Sequence, residues 1–537
     1  MSDYRPPVQE MAFLLYDVLG FDHPELDRET AVVVLDEAAK LASDVLAPLN
    51  KIGDANGCTL KDGSVKTAPG FREAYKQYCE GGWNAVPFDP EFGGQGLPWA
   101  LTFPLQEMWQ GANMAFGLCP LLNQGAIEAI STHGAPEQKE IYLPKLIEGE
   151  WTGTMNLTES QAGSDLGLLK TKAEKQADGT YKITGQKIFI TYGEHDMAEN
   201  IIHLVLARTT DAPEDVKGIS MFIVPKILED GARNRVTCIG LEHKLGIHAS
   251  PTCTMDFDGA TGYLIGAENE GLKYMFTMMN NARLCVGLQG VAIAERALQH
   301  AASYAAERLQ GKSLETGERV TIDAHPDVRR MLLSMKAQTL AGRVLAYSAA
   351  IALDKAAAGD AIAQAEVDFL TPIVKSWCTD MACEVASLGV QIHGGMGFIE
   401  ETGAAQFYRD ARILPIYEGT NGIQALDLLF RKVLRDQGAM ALTWIEKNAD
   451  GIGAETAGAL KQATQNMLAM AKAGDMDKAA WHASAYLKAF AIAIGAAHLA
   501  KIEGHKETPA QTQEACRFFR SEILPLSAAN LQSLQSA

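Results

Sequence analysis

Positive charge is scarce in this chain: 47 Lys and Arg stand against 66 Asp and Glu, a formal net charge of −19. Such a field repels phosphate backbones and anionic lipid surfaces, which excludes nucleic acid and membranes as main partners while leaving room for a local patch that holds a phosphorylated cofactor. Paired cysteines are missing too. The nine cysteines are scattered with no Cys-x-x-Cys, and the closest two, Cys378 and Cys383, sit in a helical pattern as reduced core residues do. No basic and apolar leader opens the chain and no apolar run reaches the roughly 18 to 20 residues that span a bilayer, so a cytoplasmic protein is expected. Also absent are G-x-G-x-x-G, a Walker loop, G-x-S-x-G and H-E-x-x-H. Any nucleotide is therefore bound without a Rossmann fingerprint. His243 and His248 lack Cys or carboxylate support at ligand spacing, and no metal is expected.

What is present divides into four stretches. At 537 residues the chain exceeds one hydrophobic core, and two to four domains are expected. Residues 1–150 read as an all-α N-terminal domain, with apolar residues at three- and four-residue spacing over 30–49 and a loop at 87–98. Residues 151–268 change character: 181–191, 201–207 and 219–224 are short, β-branched and aromatic, and predict a central β domain. Long helical patterns return at 272–309, 326–358, 365–393 and 421–433, which predicts a four-helix bundle over 269–435. The alanine-rich, charge-balanced residues 436–537 predict an accessory helical extension. The fold class is α+β, with no internal repeat.

Four segments carry candidate chemistry. Leu157-Thr158-Glu159-Ser160-Gln161-Ala162-Gly163-Ser164-Asp165 has small and hydroxyl residues whose backbone can approach a planar or phosphorylated ligand; it is equally a plain turn. Gly185-Gln186-Lys187-Ile188-Phe189-Ile190-Thr191 is an alternating strand, either core or an aromatic face that stacks on a flavin beside a threonine hydroxyl. Gln391-Ile392-His393-Gly394-Gly395 ends a helix as a C-cap does and would also admit a pyrophosphate. Tyr417-Glu418-Gly419-Thr420-Asn421 puts a carboxylate just before a helix capped by Thr420 or Asn421. Glu418 is either a partner of the helix dipole or a desolvated base.

The order and spacing of these segments resemble the acyl-CoA dehydrogenase family over residues 30–435. The resemblance implies an α–β–α architecture, an FAD cofactor, an acyl-CoA substrate, a homodimer, and an electron-transfer flavoprotein as the acceptor of the reduced flavin's electrons. It implies that Met155, Leu157, Thr158, Gly163, Ser164, Phe189 and Thr191 lie around the flavin. Gln391, Gly394, Gly395 and Thr420 are implied cofactor neighbours, and Arg308 is implied to reach FAD phosphates across the dimer. Ser164, Asn280, Arg283 and Gly419 are implied to touch the acyl-CoA. Glu418 matches the catalytic base that removes the α proton while the β hydrogen leaves as hydride. The Glu418 backbone N–H, with a flavin hydroxyl, is implied to polarise the thioester carbonyl.

The chain departs from the family pattern at three places. Phe189 stands where many members carry tryptophan, Gly422 where glutamine is common, and Pro326 in place of a frequent cofactor-contacting glutamine. Within the family, Tyr4-Arg5-Pro6-Pro7, Glu307-Arg308-Leu309-Gln310-Gly311 and His325-Pro326-Asp327-Val328-Arg329-Arg330 resemble the branch that acts on methylthiopropanoyl-CoA in the breakdown of dimethylsulfoniopropionate. Two other readings share the fold: an acyl-CoA oxidase, which makes peroxide, and a DNA-associated flavoprotein, which needs the basic carboxyl-terminal domain this chain lacks.

Overall fold

The structure, a computed structural model, describes residues 4–535. Contacts group them into two compact units, one formed by the described residues of 4–43, 99–111 and 283–535, the other by 44–98 and 112–282. This grouping differs from a strictly sequential division, because early helices join the first unit.

The second unit is built on seven strands: β1 (Trp151–Asn156), β2 (Lys172–Lys175), β3 (Tyr181–Thr191), β4 (Asn200–Thr209), β5 (Ile219–Pro225), β6 (Val236–Leu241) and β7 (Thr252–Leu264). Pairings β4–β2, β2–β3, β3–β7, β7–β5 and β5–β4 return to their start, so the sheet closes on itself and the ring is left without a free edge. β1 adds to β4 in parallel and β6 to β7 in antiparallel fashion. Ile183, Val205, Phe222, Val224 and Phe257 fill the core. Gly153 lets the helix Met114–His133 lie directly on β1: a Cβ there would sit 2.2 Å from that of Ala126.

One residue pair breaks the alternation of β3. Opposite Met255 and Cys253 stand Lys187 and Ile190, one residue too many, and the resulting bulge contains Phe189 at φ +62°.

In the first unit three long helices pack together, α1 (Gly271–Glu307, of which 283–307 belong here), α2 (Pro326–Ala357) and α3 (Ala361–Ile392). Gly287 and Gly290 bring α1 against the α3 backbone: a Cβ would stand 2.8 Å from the Val374 carbonyl oxygen and 2.3 Å from that of Cys378. The stretch 421–433 is helical throughout, as its pattern predicts, α4 (Asn421–Leu426) running on into the wider-wound segment Asp427–Val433, and one further long helix joins the bundle.

That helix is α5 (Met476–Gly504), which packs on α2 and α3 through Gly495 against Ala341 and Phe490 against Phe369. The alanine-rich tail therefore lies within the bundle's own unit. α5 also corrects an expectation, being long and apolar enough to cross a membrane by length and composition, with a mean hydropathy of 1.3 over 18 residues. Its apolar faces are spent inside the unit, where 72% of that window is buried. A buried ion cluster ties further segments to the bundle. Arg343 on α2, fully buried, bonds Glu107 of the helix Trp99–Ala112 and Glu295 of α1 at 2.7 Å each, and also pairs with Glu10.

Candidate active site

The turn before α4 is held in an unusual shape. Glu418 has φ +56° and Gly419 φ +86°, two left-handed residues in succession. At Gly419 a side chain would also meet Gln424 Nε2 at 2.8 Å, so glycine is required there. At Glu418 the conformation costs about 1–2 kcal/mol and needs surrounding structure to impose it.

The restraints come from three helices. Lys375 of α3 donates from Nζ to the Gly419 carbonyl at 2.7 Å and to Asn421 Oδ1 at 3.0 Å. Gln424 of α4 donates to the carbonyls of Glu418 and Gly419 at 3.2 and 3.3 Å. Asn421 Nδ2 donates to the Ser376 carbonyl at 3.0 Å and to Asp380 at 2.8 Å, while Tyr417 donates to Gln289 of α1. A hydrogen bond contributes about 0.5–1.5 kcal/mol net, so the contacts of Lys375, Gln424, Asn421 and Tyr417 together are what offset the backbone strain at Glu418. Thr420 caps α4, its hydroxyl oxygen accepting from the Ile423 N–H at 3.4 Å.

Glu418 is half-buried, Arg283 of α1 is buried with 5% of its surface exposed, and Lys375 is completely buried. Desolvation raises the Glu418 carboxyl above the usual carboxylate range, opposed by the positive charges of Arg283 and Lys375. Desolvation also pushes Lys375 down to about 7, against the pull of Glu418 and Asp380. Arg283 lies 3.9 Å from Asp427. A carboxylate whose pKa is raised by desolvation is a base poised nearer neutral pH than a solvated glutamate. The structure thus brings Glu418, Gly419, Thr420 and Arg283 together.

Arg308, Gln391, Gly394 and Gly395 lie elsewhere in the same unit. Arg308 follows α1 twenty-five residues after Arg283, about 37 Å along a helix axis. Tyr304 and His300 near that end stack on His393 at the end of α3, with ring centroids 4.3 and 4.6 Å apart, so the two helix ends meet there. Arg308, Gln391, Gly394 and Gly395 are exposed, and a Cβ on either glycine would meet nothing within 4 Å. Glu418 and this group occupy opposite ends of one bundle.

In the second unit, the Thr158 carbonyl accepts from the Ile188 N–H at 2.9 Å, which joins the loop after β1 to the β3 bulge. Phe189 is 57% exposed there, re-aimed outward by its left-handed backbone. Gly163 and Ser164 are exposed, Leu157, Thr158 and Thr191 half-buried and Met155 buried; Asn280 lies exposed on α1. An exposed aromatic ring beside hydroxyls and an open glycine backbone fits a planar aromatic cofactor. Beneath the loop lies a pair whose role the sequence did not disclose. Lys187, fully buried, donates to Glu159 at 2.8 Å and to the Leu157 carbonyl at 3.0 Å. Burial works against the Glu159 charge, but Lys187, the Thr171 hydroxyl and the Lys170 N–H hold the carboxyl down to about 2. Lys375 and Lys187 share one signal that could have found them, a lysine at an inward position of an otherwise apolar helix or strand. Among the described residues no cluster of three or more His, Cys, Asp or Glu is placed to hold a metal, and His248 instead pairs with Asp54 at 2.8 Å.

The acyl-CoA dehydrogenase N-terminal, middle and C-terminal domain families match residues 28–150, 154–260 and 269–432. The chain belongs to the acyl-CoA dehydrogenase family. It is 52% identical over 489 residues to a protein of Ruegeria pomeroyi named 3-methylmercaptopropionyl-CoA dehydrogenase, covering 88% of this chain and 83% of that one. Among solved structures, butyryl-CoA dehydrogenase from Megasphaera elsdenii superposes with a TM-score of 0.64 at 29% identity, covering 76% of this chain and 98% of that one. An acyl-CoA dehydrogenase from Bacillus anthracis complexed with FAD shares the fold at TM-score 0.77 and 22% identity, covering 97% and 90%. This acyl-CoA dehydrogenase is accordingly an FAD-dependent oxidoreductase acting on the CH–CH bond of an acyl-CoA.

Proposed function

We propose that the enzyme oxidises methylthiopropanoyl-CoA to methylthioacryloyl-CoA, with Glu418 as the base. The observation that carries the second half is the geometry of Glu418, a half-buried carboxyl on a backbone held at φ +56°, raised in pKa by desolvation against the positive charges of Arg283 and Lys375. The 52% identity to the Ruegeria pomeroyi protein supports the substrate.

The Cα–H bond of a thioester is a weak acid, so a carboxylate removes its proton only where water is excluded and the developing enolate oxygen is stabilised. The Glu418 carboxylate takes the α proton and ends protonated, a form that its desolvation favours. The Glu418 N–H is the donor for the thioester oxygen, and Arg283 holds the CoA portion. FAD, when bound, supplies the acceptor for the hydride from the β carbon, so that two electrons and two hydrogens leave and a C=C bond forms. Met155, Leu157, Thr158, Gly163, Ser164, Phe189 and Thr191 would hold its ring system, and Ser164 and Asn280 would contact the substrate. Arg308, Gln391, Gly394 and Gly395 would hold the phosphates of a second copy's FAD, since about 37 Å of helix separates Arg308 from the Arg283 end. The enzyme is then a homodimer, and an electron-transfer flavoprotein takes the electrons. All nine cysteines are free, which supports a reducing cytoplasm as its place.

The test is an anaerobic titration of the yellow enzyme with methylthiopropanoyl-CoA, butanoyl-CoA and palmitoyl-CoA. Fastest bleaching by the methylthio compound supports the reading, and fastest bleaching by palmitoyl-CoA refutes it. Peroxide on aerobic turnover at the rate of substrate consumption would make the enzyme an oxidase.

A further inference from the structure

Lys375 is expensive to bury and a neutral side chain already does part of its work. Gln424 supplies hydrogen bonds to both the Glu418 and Gly419 carbonyls, and Asn421 ties α4 to α3 through Ser376 and Asp380. Yet the chain places an ammonium, 0% exposed, on the Gly419 carbonyl. Its stem emerges from the apolar run Phe369, Leu370, Ile373, Val374, Trp377 and Cys378 on α3, where an aliphatic residue would satisfy packing alone.

We propose that Lys375 is a positioning residue for the dehydrogenation, its ammonium fixing the Gly419 carbonyl and with it the left-handed turn that aims Glu418. The inference rests on Glu418 being the base. Two of the ammonium's three N–H groups go to Gly419 O and Asn421 Oδ1, so the Gly419–Thr420 peptide and the start of α4 are pinned from one atom of α3, while Gln424 holds the Glu418–Gly419 peptide before them. Rotation of the Gly419 peptide would break the first contact and carry the Glu418 side chain off its line.

The charge does a second thing that a neutral donor cannot. The charged groups acting on Lys375 are Glu418 from the turn, Asp380 from its own helix and Arg283 from α1. Lys375 and Arg283 together counter the desolvation of Glu418, so Lys375 helps keep the base ionised before substrate arrives.

The test compares the wild type with Lys375→Met, Lys375→Gln, Lys375→Arg and Glu418→Gln, all FAD-loaded. Each is mixed anaerobically with butanoyl-CoA across a pH series, and flavin bleaching is followed. The Met and Gln variants are expected to bleach at least about tenfold slower, as misaligned reacting groups do, with acyl-CoA affinity changed by less than about threefold. Their acid limb should move to higher pH, and Lys375→Arg should bring it back. Two neutral variants are used because Lys375→Gln keeps a donor and stays folded if Lys375→Met does not. If either folded variant keeps the wild-type rate and acid limb while melting earlier, Lys375 is only a packing element and the proposal fails. If instead Glu418→Gln bleaches at the wild-type rate, it is the base assignment that fails.

Discussion

Replacing Lys187 by Met removes the cation beneath the loop that would hold the flavin. Glu159 loses a bond of 2.8 Å and the Leu157 carbonyl one of 3.0 Å, while the contacts of Glu159 to Thr171 and to the Lys170 N–H remain. In the wild type the carboxyl moves from an ordinary value near 4.5 to about 2. Lys187 itself is pushed down to about 8 by its own desolvation, so the two shifts of the pair largely cancel and the cost of Lys187→Met is that of leaving Glu159 buried without its cation. Because the folded-state pKa of Glu159 is depressed, what its ionised form contributes is whole above about pH 4.5 and fades as pH falls towards 2. Breaking one partner of a buried pair costs about 3–5 kcal/mol, and the surviving donors to Glu159 place the expected loss near the lower figure. The assay is urea unfolding of the FAD-loaded enzyme at pH 7 and pH 5, with bound FAD measured from the absorbance ratio after gel filtration. The variant should lose about 3 kcal/mol at pH 7, release FAD more readily, and recover part of its stability at pH 5, where Glu159 without its cation takes up a proton. A variant within about 0.5 kcal/mol of wild type, with full FAD content at both pH values, would refute the reasoning.

Arg343→Met leaves Glu107 buried without its cation and Glu295 with Lys336 in place of two cations, and a loss of about 3–5 kcal/mol in unfolding free energy is expected at pH 7, smaller at pH 5. Arg308→Ala should reduce FAD retention on gel filtration while leaving the melting temperature of the FAD-stripped protein within about 1 °C, since the side chain is exposed. Glu418→Gln should melt higher than wild type at pH 8: a carboxyl whose folded pKa is raised loses stability as pH rises through it, and the amide carries no such penalty. An unchanged or lower melting temperature would contradict the desolvation of Glu418.

The strands 181–191, 201–207 and 219–224 were legible because each is bounded by turn residues and rich in β-branched side chains, and they reappear in β3, β4 and β5. The three long bundle helices were legible from unbroken periodicity. The 421–433 helix was legible too, with the same bounds; what its period does not reveal is that the last seven residues wind more widely. α5 escaped as a bundle helix because its apolar residues surround it on all sides, interrupted by Lys488, and an all-round pattern does not say which neighbours it packs against. At the site, Glu418 and Arg283 could be singled out by motif. The lysines could not, because what Lys375 and Lys187 do depends on carbonyls brought to them by other elements, at sequence separations of 44 and 30. The bulge that turns Phe189 outward is likewise a property of its pairing with β7, not of its own strand.

The central claim is that Glu418 removes the α proton of an acyl-CoA in a flavin enzyme. Rapid anaerobic mixing of FAD-loaded wild type and Glu418→Gln with methylthiopropanoyl-CoA tests it directly. The amide keeps the size and hydrogen bonding of the side chain but cannot accept the proton, so the variant should bind the thioester and bleach its flavin about 10²- to 10⁴-fold more slowly. Bleaching of the variant at the wild-type rate would contradict the account.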